Sequence, residues 1–256
     1  MKSIAVKLCT TNRSLRVAAQ NRRKRHARRA TMCVVLACSA AFAARGPQST
    51  ALKDVLSRLD QAAKTFHSTA ARISWTKHTA VLNDDSTQTG TAYRAKTAKG
   101  LLGRIEIEKP EKKGYAFEGR MVQIYYPNIK EVDIYDAGIH GEQLEQFLML
   151  GFGTSGAELE KTYDIRLVGS ETVNGEKTVH LALTPKSAKA KELIKQVDLW
   201  ISEKGNYPVQ EKVLEKSGDY NLISFSDVQI NPPLKDSDLK LQLPTGVKKV
   251  YPQKEK

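Results

Sequence analysis

Cysteine is scarce in this chain, and its three examples, Cys9, Cys33 and Cys38, all lie in the first 38 residues. The rest of the sequence therefore has no means of forming a disulfide or of using a thiol in chemistry. Long apolar runs are missing too, because no later segment approaches the roughly 20 apolar residues of a membrane-spanning helix. A packed core must stabilise the fold, and about 210 residues suffice for one such domain.

Acidic residues are missing from the first 45 positions, which hold eleven Lys and Arg side chains. The formal charge of the whole chain is +13, yet the remaining residues hold 30 basic and 28 acidic side chains. The body of the chain is therefore close to neutral. A basic arm for nucleic acid is one interpretation of the leading charges, and a targeting segment is the other.

The residues that follow the charges favour targeting. A short apolar run, Met32 to Ala40, precedes Ala41-Phe42-Ala43, which has the small-x-small pattern of a signal-peptidase site. We therefore predict a signal peptide over residues 1–43, one domain over 44–256, and a periplasmic location. Two variants stay open, since Val35-Leu36-Ala37-Cys38 permits lipidation of Cys38, and Arg28-Arg29 permits twin-arginine export.

Hydrophobic periodicity predicts one helix followed by many strands. From Pro47 to His67 the apolar residues recur at helical spacing, and after Phe66 the period changes to two. The eleven predicted strands are Ala70–Leu82, Thr87–Lys96, Gly100–Lys109, Lys113–Glu118, Met121–Tyr126, Ile129–Tyr135, Thr162–Val168, Lys177–Thr184, Val197–Glu203, Pro208–Glu215 and Tyr220–Ile230. Only residues 138–159 and 187–196 leave room for further helices. Short connections predict an antiparallel meander, and hence an α+β fold with one large sheet.

The alternation also predicts one apolar face for the sheet. A sheet of this length curls, so its concave apolar face must be filled by helices, by ligand or by both. The side chains that we predict to share this face are Ile105, Ile107, Val122, Ile124, Tyr126, Val179, Leu181, Leu183, Val197, Leu199 and Ile201.

Signatures of catalysis and of cofactor binding are weak. Residues 151–156 match G-x-G-x-x-G but do not follow a strand, so they predict a loop rather than a dinucleotide site. The histidines show no metal-ligand spacing, and no nucleophile motif is present, so we predict neither an enzyme nor a metal or cofactor. The run Lys109-Pro110-Glu111-Lys112-Lys113 predicts a solvated turn, with a contact for an acidic partner or lipid head groups as the alternative.

Several segments together resemble a known family. Gly103 to Pro110 and Tyr125 to Val132 resemble the strands of the LolA family of periplasmic lipoprotein carriers, around its Pro-containing turn. Further matches follow in the family's order, at Val197-Asp198-Leu199-Trp200-Ile201, Tyr207-Pro208-Val209, residues 225–231 and Leu243-Pro244-Thr245-Gly246-Val247. The resemblance covers roughly Leu52 to Val250. Gly114-Tyr115-Ala116-Phe117 departs from the family pattern, since it lacks the arginine that locks the lid in such carriers.

The resemblance implies an incomplete barrel of about eleven antiparallel strands, with helices lining a concave face that holds acyl chains. It implies a monomeric carrier that moves lipoproteins or lipids from an inner-membrane donor to an outer-membrane acceptor, and that does not bind nucleic acid. The residues expected to bind lipid are Ile105, Ile107, Tyr115, Phe117, Val122, Ile124, Leu144, Phe147, Leu148, Leu181, Leu183, Leu199 and Ile201.

Two alternatives accompany this interpretation. Residues 143–150 could form a lid that turns on the glycines of 151–156, or Phe147 and Leu148 could simply fill the core. Related half-barrels also serve as envelope-stress sensors, so a regulatory binding module is the competing function.

Overall fold

The computed structural model describes residues 47–97, 100–138 and 150–253. Helix α1 spans Pro47–Thr65, α2 spans Gly156–Thr162 and α3 spans Ala188–Leu193. The strands are β1 (Ser68–Thr79), β2 (Asp84–Thr97), β3 (Gly100–Lys109), β4 (Lys113–Glu118), β5 (Met121–Tyr126), β6 (Glu131–Asp136), β7 (Tyr163–Val173), β8 (Glu176–Pro185), β9 (Ile194–Ser202), β10 (Pro208–Glu215), β11 (Tyr220–Ile230) and β12 (Lys248–Val250).

All twelve strands belong to one open sheet in the order β12-β6-β5-β4-β3-β2-β1-β11-β10-β9-β8-β7. Each pair is antiparallel except β12 with β6, which is parallel. The first six strands form one meander and β7 to β11 form another, and pairing of β1 with β11 joins them. The predicted α+β half-barrel with eleven antiparallel strands is confirmed, and β12 is an additional strand.

Several predicted strand bounds differ from those in the structure, by about one to five residues. The first predicted strand ran to Leu82, but β1 ends at Thr79, and Val81 and Leu82 form the turn to β2. Residues 187–196 were expected to leave room for a helix, and α3 occupies Ala188–Leu193 within them, because the chain from Ile194 onward already pairs with β10.

Helix α1 covers the inner face of the sheet over β7 to β10. Val55, Leu56 and Leu59, at helical spacing, are buried at 4% exposure or less. They pack with the inward side chains of those strands and with Leu159 of α2. The two helices approach closely at Gly156, where a Cβ atom would lie 2.5 Å from the Leu56 carbonyl oxygen.

The outer face of β2 to β5 is covered by the chain that follows β11. Leu239, in a short 3₁₀ turn at Asp236–Leu239, is 3% exposed and packs with Ala95 and Leu102. Leu241 lies over Gly114, where a Cβ atom would approach the Leu241 Cδ2 atom to 2.5 Å. The outer surface of these strands is therefore a second, smaller core.

Candidate functional site

The inner face of the sheet has two parts. One part, the sealed half, is buried beneath α1, and the other, the half-covered strip, is only partly buried. Over β7 to β10, Leu181, Leu183, Leu199 and Ile201 are at most 1% exposed beneath α1. Over β4 and β5, the inward residues are only partly buried. The structure thus places the predicted lipid-binding residues in two different environments on one face.

Cross-strand register defines the half-covered strip. Tyr115 of β4 lies opposite Ile105 on one side and Ile124 on the other, and Phe117 lies opposite Val122. Ile105 and Ile107 are buried at 9% and 3% exposure at the edge of this strip. Directly paired residues share a face, so these apolar and aromatic side chains form one continuous surface.

Three residues that the sequence analysis did not select extend this surface. Trp75 of β1 lies with its ring centroid 6.0 Å from that of Tyr115, and it pairs with Ile223 of β11. Tyr135 of β6 pairs with Val122. Trp75 follows Ile73 by two positions, so strand alternation could have identified it as inward-facing. We name Trp75, Tyr115, Phe117, Val122, Ile124, Tyr135 and Ile223 the inner strip.

A polar group borders the inner strip on β6. The Tyr135 hydroxyl donates to the Asp133 carboxylate at 3.1 Å. Burial, together with the nearby Asp133 charge, raises the pKa of Tyr135 to about 12. Burial also raises the pKa of Tyr126, with Asp133 and Glu131 adding to the effect. Both phenols therefore stay neutral at neutral pH.

Two buried ionisable residues also face inward, and they lie outside the set predicted from the sequence. Arg94 of β2 is 8% exposed, with its guanidinium carbon 4.8 Å from the ring centre of Phe152 and 5.3 Å from that of Phe225. Glu211 of β10 is 6% exposed and lies between the inward Leu199 and Ile223. A Glu between Val209 and Val213 in a strand of period two was the available signal.

Burial perturbs both of these groups. It raises the pKa of Glu211 to about 8, against an opposing effect of the Arg94 charge. It lowers the pKa of Arg94 to about 10, and Glu211 partly offsets this. Neither side chain makes a hydrogen bond or ion pair among the described residues. At neutral pH, Arg94 is a cation held chiefly by two aromatic rings, and Glu211 is mostly protonated.

Residues 151–156, predicted as a loop and a hinge, are firmly packed, and Leu150, predicted as the last residue of the lid, is buried at 2% exposure in the core beneath α1. Phe152 is 1% exposed and meets Phe225 edge to face at 5.0 Å. The Lys96 ammonium donates to the Gly153 carbonyl oxygen at 2.7 Å. Ser155 then caps α2 in a capping box with Glu158. The predicted lid residues Leu144, Phe147 and Leu148 lie outside the described residues.

A separate polar cluster occupies the outer face of β7 to β9. The His180 Nδ1 atom lies 2.8 Å from Glu171, and its Nε2 atom lies 2.9 Å from Asp198. The Trp200 indole N–H donates to Glu171, and this bond together with His180 lowers the pKa of that carboxyl. Both imidazole nitrogens are already engaged. Within residues 47–97, 100–138 and 150–253, no cluster of His, Cys, Asp and Glu could hold a metal ion.

No helix in the described part of the chain combines the length and apolar character needed to cross a membrane. The predicted signal peptide over residues 1–43, with Cys38, lies outside the described residues and stays a prediction.

Comparison with known proteins points to one family. Residues 77–242 match the model of the family described as outer membrane lipoprotein carrier protein LolA. No curated relative matches by sequence.

Solved structures share the fold at low identity. An uncharacterised conserved protein from Thermus thermophilus is 14% identical, with a TM-score of 0.50, over 78% of this chain and 99% of that one. LprF from Mycobacterium bovis is 14% identical, with a TM-score of 0.45, over 78% and 100% of the two chains. MucB is 18% identical, with a TM-score of 0.49, over 77% of this chain, which spans 64% of the length of MucB.

Proposed function

We propose that this protein, which belongs to the LolA family of outer membrane lipoprotein carrier proteins, holds acyl chains of a lipoprotein or lipid on its inner strip and carries them between membranes. The observation that carries the proposal is the unequal cover of the inner face. Helix α1 seals one half, whereas aromatic and branched side chains on β4 and β5 remain partly accessible.

The partial cover suits a carrier, which must release what it binds. Burying ten methylene groups is worth about 8 kcal/mol at about 0.8 kcal/mol each. A fully enclosed and complementary cavity would hold a long acyl chain too tightly for transfer. A strip that buries only one side of the acyl chain binds it more weakly, so that an acceptor can take it over.

The sealed half gives the carrier a fixed scaffold. Leu181, Leu183, Leu199 and Ile201 were expected to bind lipid, and beneath α1 they could do so only after the helix moves. We therefore assign acyl contact first to Tyr115, Phe117, Val122 and Ile124, with Ile105 and Ile107 at the boundary. The predicted lid ran over residues 143–150, but Leu150 is buried in the core, so our candidate lid is residues 143–149, followed by the packed Phe152.

A periplasmic location and transfer between an inner-membrane donor and an outer-membrane acceptor form part of the same proposal. They rest on the family membership and on the signal pattern in residues 1–43. Removal of this segment near Ala43 is the expected processing step, and the intact mass of the exported protein measures it. Retention of residues 22–29 in that protein would contradict export by a cleaved signal peptide.

The site is tested by a matched pair of substitutions on neighbouring strands. Ile124→Asn places an amide on the inner strip, whereas Ile134→Asn places the same group on the outer face of β6, opposite Gln123. We expect Ile124→Asn to weaken binding of a fluorescent fatty-acyl probe by about tenfold or more, because a buried amide without a partner costs about 1–3 kcal/mol. Ile134→Asn should bind the probe like the unaltered protein.

Circular dichroism and thermal unfolding must show that both variants fold. Equal binding by folded Ile124→Asn and Ile134→Asn proteins would contradict acyl binding on the inner strip. A protein that takes up no acyl probe but captures a protein partner would instead support the regulatory alternative.

A further inference from the structure

Five of the connections between consecutive strands lie at the same end of the sheet, and we name this end the turn rim. It consists of the β1–β2, β3–β4, β5–β6, β8–β9 and β10–β11 connections. Antiparallel register places them together, since His78 of β1 lies opposite Tyr220 of β11, and Leu214 of β10 lies opposite both Tyr220 and Gln196. The β3–β4 and β5–β6 turns lie at the same end, displaced along the strands.

The turn rim carries the most exposed apolar side chains of the described residues. Val81 is 89% exposed, Leu82 is 71%, Leu193 is 66% and Ile129 is 65%. The other exposed large apolar residues, Val168, Ile230 and Tyr251, reach only 39–42%. Single exposed apolar residues are ordinary, but four of the highest exposure at one end of a sheet require an explanation.

The β1–β2 turn presents Val81 and Leu82 in a defined geometry. The Leu82 amide donates to the Thr79 carbonyl oxygen at 3.1 Å, and the Asn83 amide donates to that of Ala80 at 3.2 Å. Asn83 completes the turn with a φ of 48°, in the left-handed region. The Ala80 amide also donates to the Asp219 carboxylate of the β10–β11 turn at 2.8 Å. The two apolar side chains therefore project from a braced turn rather than a loose loop.

The connections of the turn rim carry a net positive charge, whereas the charges next to Val81 and Leu82 are those of Asp84, Asp85 and Asp219. The five connections hold six lysines and three acidic residues, and the lysines are Lys112, Lys130, Lys186, Lys189, Lys191 and Lys216. All six are exposed, and Lys186 forms an ion pair with Asp164 at 3.9 Å.

The opposite end of the sheet differs in both respects. Its described turns, residues 119–120, 174–175 and 203–207, hold Arg120, Lys204 and Glu203 as their only charged residues and none of the exposed large apolar side chains. Arg120 is also paired with Asp136 at 2.6 Å.

We propose that the turn rim docks on an anionic lipid bilayer, with Val81 and Leu82 entering the interface and the lysines contacting acidic head groups. Apolar side chains at this end of the sheet, together with the excess of lysines over acidic residues on its connections, match the two contributions that hold proteins at membrane surfaces. A protein groove would satisfy the apolar residues, but the excess of lysines on several separate turns favours a broad negative surface. This docking is separate from acyl binding, because the rim lies at the strand ends and the inner strip on the sheet face.

The test uses vesicles of neutral phosphatidylcholine with or without roughly 30% phosphatidylglycerol, since anionic lipid attracts lysines near the surface. The purified protein should sediment with the anionic vesicles only, and binding should fall steeply as salt rises from about 0.05 to 0.5 M. V81S/L82S should lower vesicle affinity on the order of tenfold or more, because each apolar side chain loses its buried area. V168S, a substitution on β7, is the control and should bind unchanged.

Lysine substitutions separate charge from apolar contact. K189Q/K191Q on α3 should weaken binding roughly fivefold or more and reduce its salt dependence, whereas K177Q/K204Q, away from the turn rim, should not. All four variants should retain acyl-probe binding in the absence of vesicles, so failure of docking is distinguishable from failure of the carrier proposal. Equal binding to neutral and anionic vesicles, or full binding by V81S/L82S, would overturn the proposal, as would capture of a protein partner through the rim without vesicle binding.

Discussion

Arg94 and Glu211 show how single residues of the inner face depart from a purely apolar surface. A charged guanidinium between two phenyl rings is tolerated because the ring faces attract it, whereas an ionised carboxylate beside Leu199 and Ile223 has no such support. Strand alternation could reveal that both face inward. It could not reveal that they share one region of the interior, because β2 and β10 lie more than one hundred residues apart along the chain.

The raised pKa of Glu211 predicts a falling stability with rising pH. Its ordinary pKa is 4.5 and its folded pKa is about 8, so between these values the folded state binds more protons than the unfolded state. The stability that this group contributes should therefore be fully present at and below about pH 4.5, and should be lost as the pH rises through about 8. Glu211→Gln keeps a neutral side chain at every pH and should flatten this slope.

Urea unfolding at several pH values between about 4.5 and 8.5 measures the effect as a change in the free energy of unfolding. Glu192→Gln, at an exposed position on α3, is the control and should leave the slope as it is in the unaltered protein. An equally steep slope in Glu211→Gln would mean that another group causes the pH dependence.

At the scale of elements, the sequence indicates strands well and turns less well. Residues 121–126 and 208–215 alternate cleanly, and β5 and β10 have the predicted bounds. Val81 and Leu82 extend the β-branched and apolar pattern past the true end of β1, and only Asn83 marks the turn. Strand β12 escapes prediction because three residues without alternation pair in parallel with a distant strand.

The segment Leu150–Ser155 allows a test of how firmly the candidate lid is anchored. Gly153 has a φ of 69°, and a Cβ atom there would lie 2.3 Å from the Phe66 ring. Gly153→Ala should thus lower the free energy of unfolding by more than the roughly 1–2 kcal/mol that a left-handed residue costs. Gly175→Ala, at a φ of 80° with nothing within 4 Å of the added carbon, measures the backbone cost alone.

Thermal unfolding of both variants, with acyl-probe exchange as a second measurement, decides between an anchor and a loose hinge. We expect Gly153→Ala to be the less stable of the two and to exchange the probe faster. Equal stability of the two variants would show that Phe66 can move aside and that the segment does not hold the lid in place.

At the scale of the whole molecule, two different covers stabilise the sheet. Helix α1 lies on the inner face over β7 to β10, and the chain after β11 lies on the outer face over β2 to β5. Alternation in the sequence predicts an apolar face, but the position of α1 on that face depends on tertiary contacts such as the close approach at Gly156. This is why Leu181, Leu183, Leu199 and Ile201 could be predicted as lipid contacts, although the structure seals them beneath α1.

Because α1 and the chain after β11 cover different strands on opposite faces of the sheet, we expect the segment after β11 to contribute to the stability of the whole domain. Leu239 is 3% exposed between Ala95 and Leu102, so Leu239→Ala leaves a cavity on the outer face and should cost about 2–5 kcal/mol. Leu193→Ala, at a side chain that is 66% exposed, should change stability by about 0.5 kcal/mol or less.

Urea unfolding gives both values, and hydrogen exchange locates the change. In Leu239→Ala, amides of β2 and β3 should exchange faster, because the outer core rests on those strands, while amides under α1 in β8 and β9 should change only through global unfolding. A small loss in Leu239→Ala, comparable to that of Leu193→Ala, would mean that the segment merely lies against a sheet that is already complete without it.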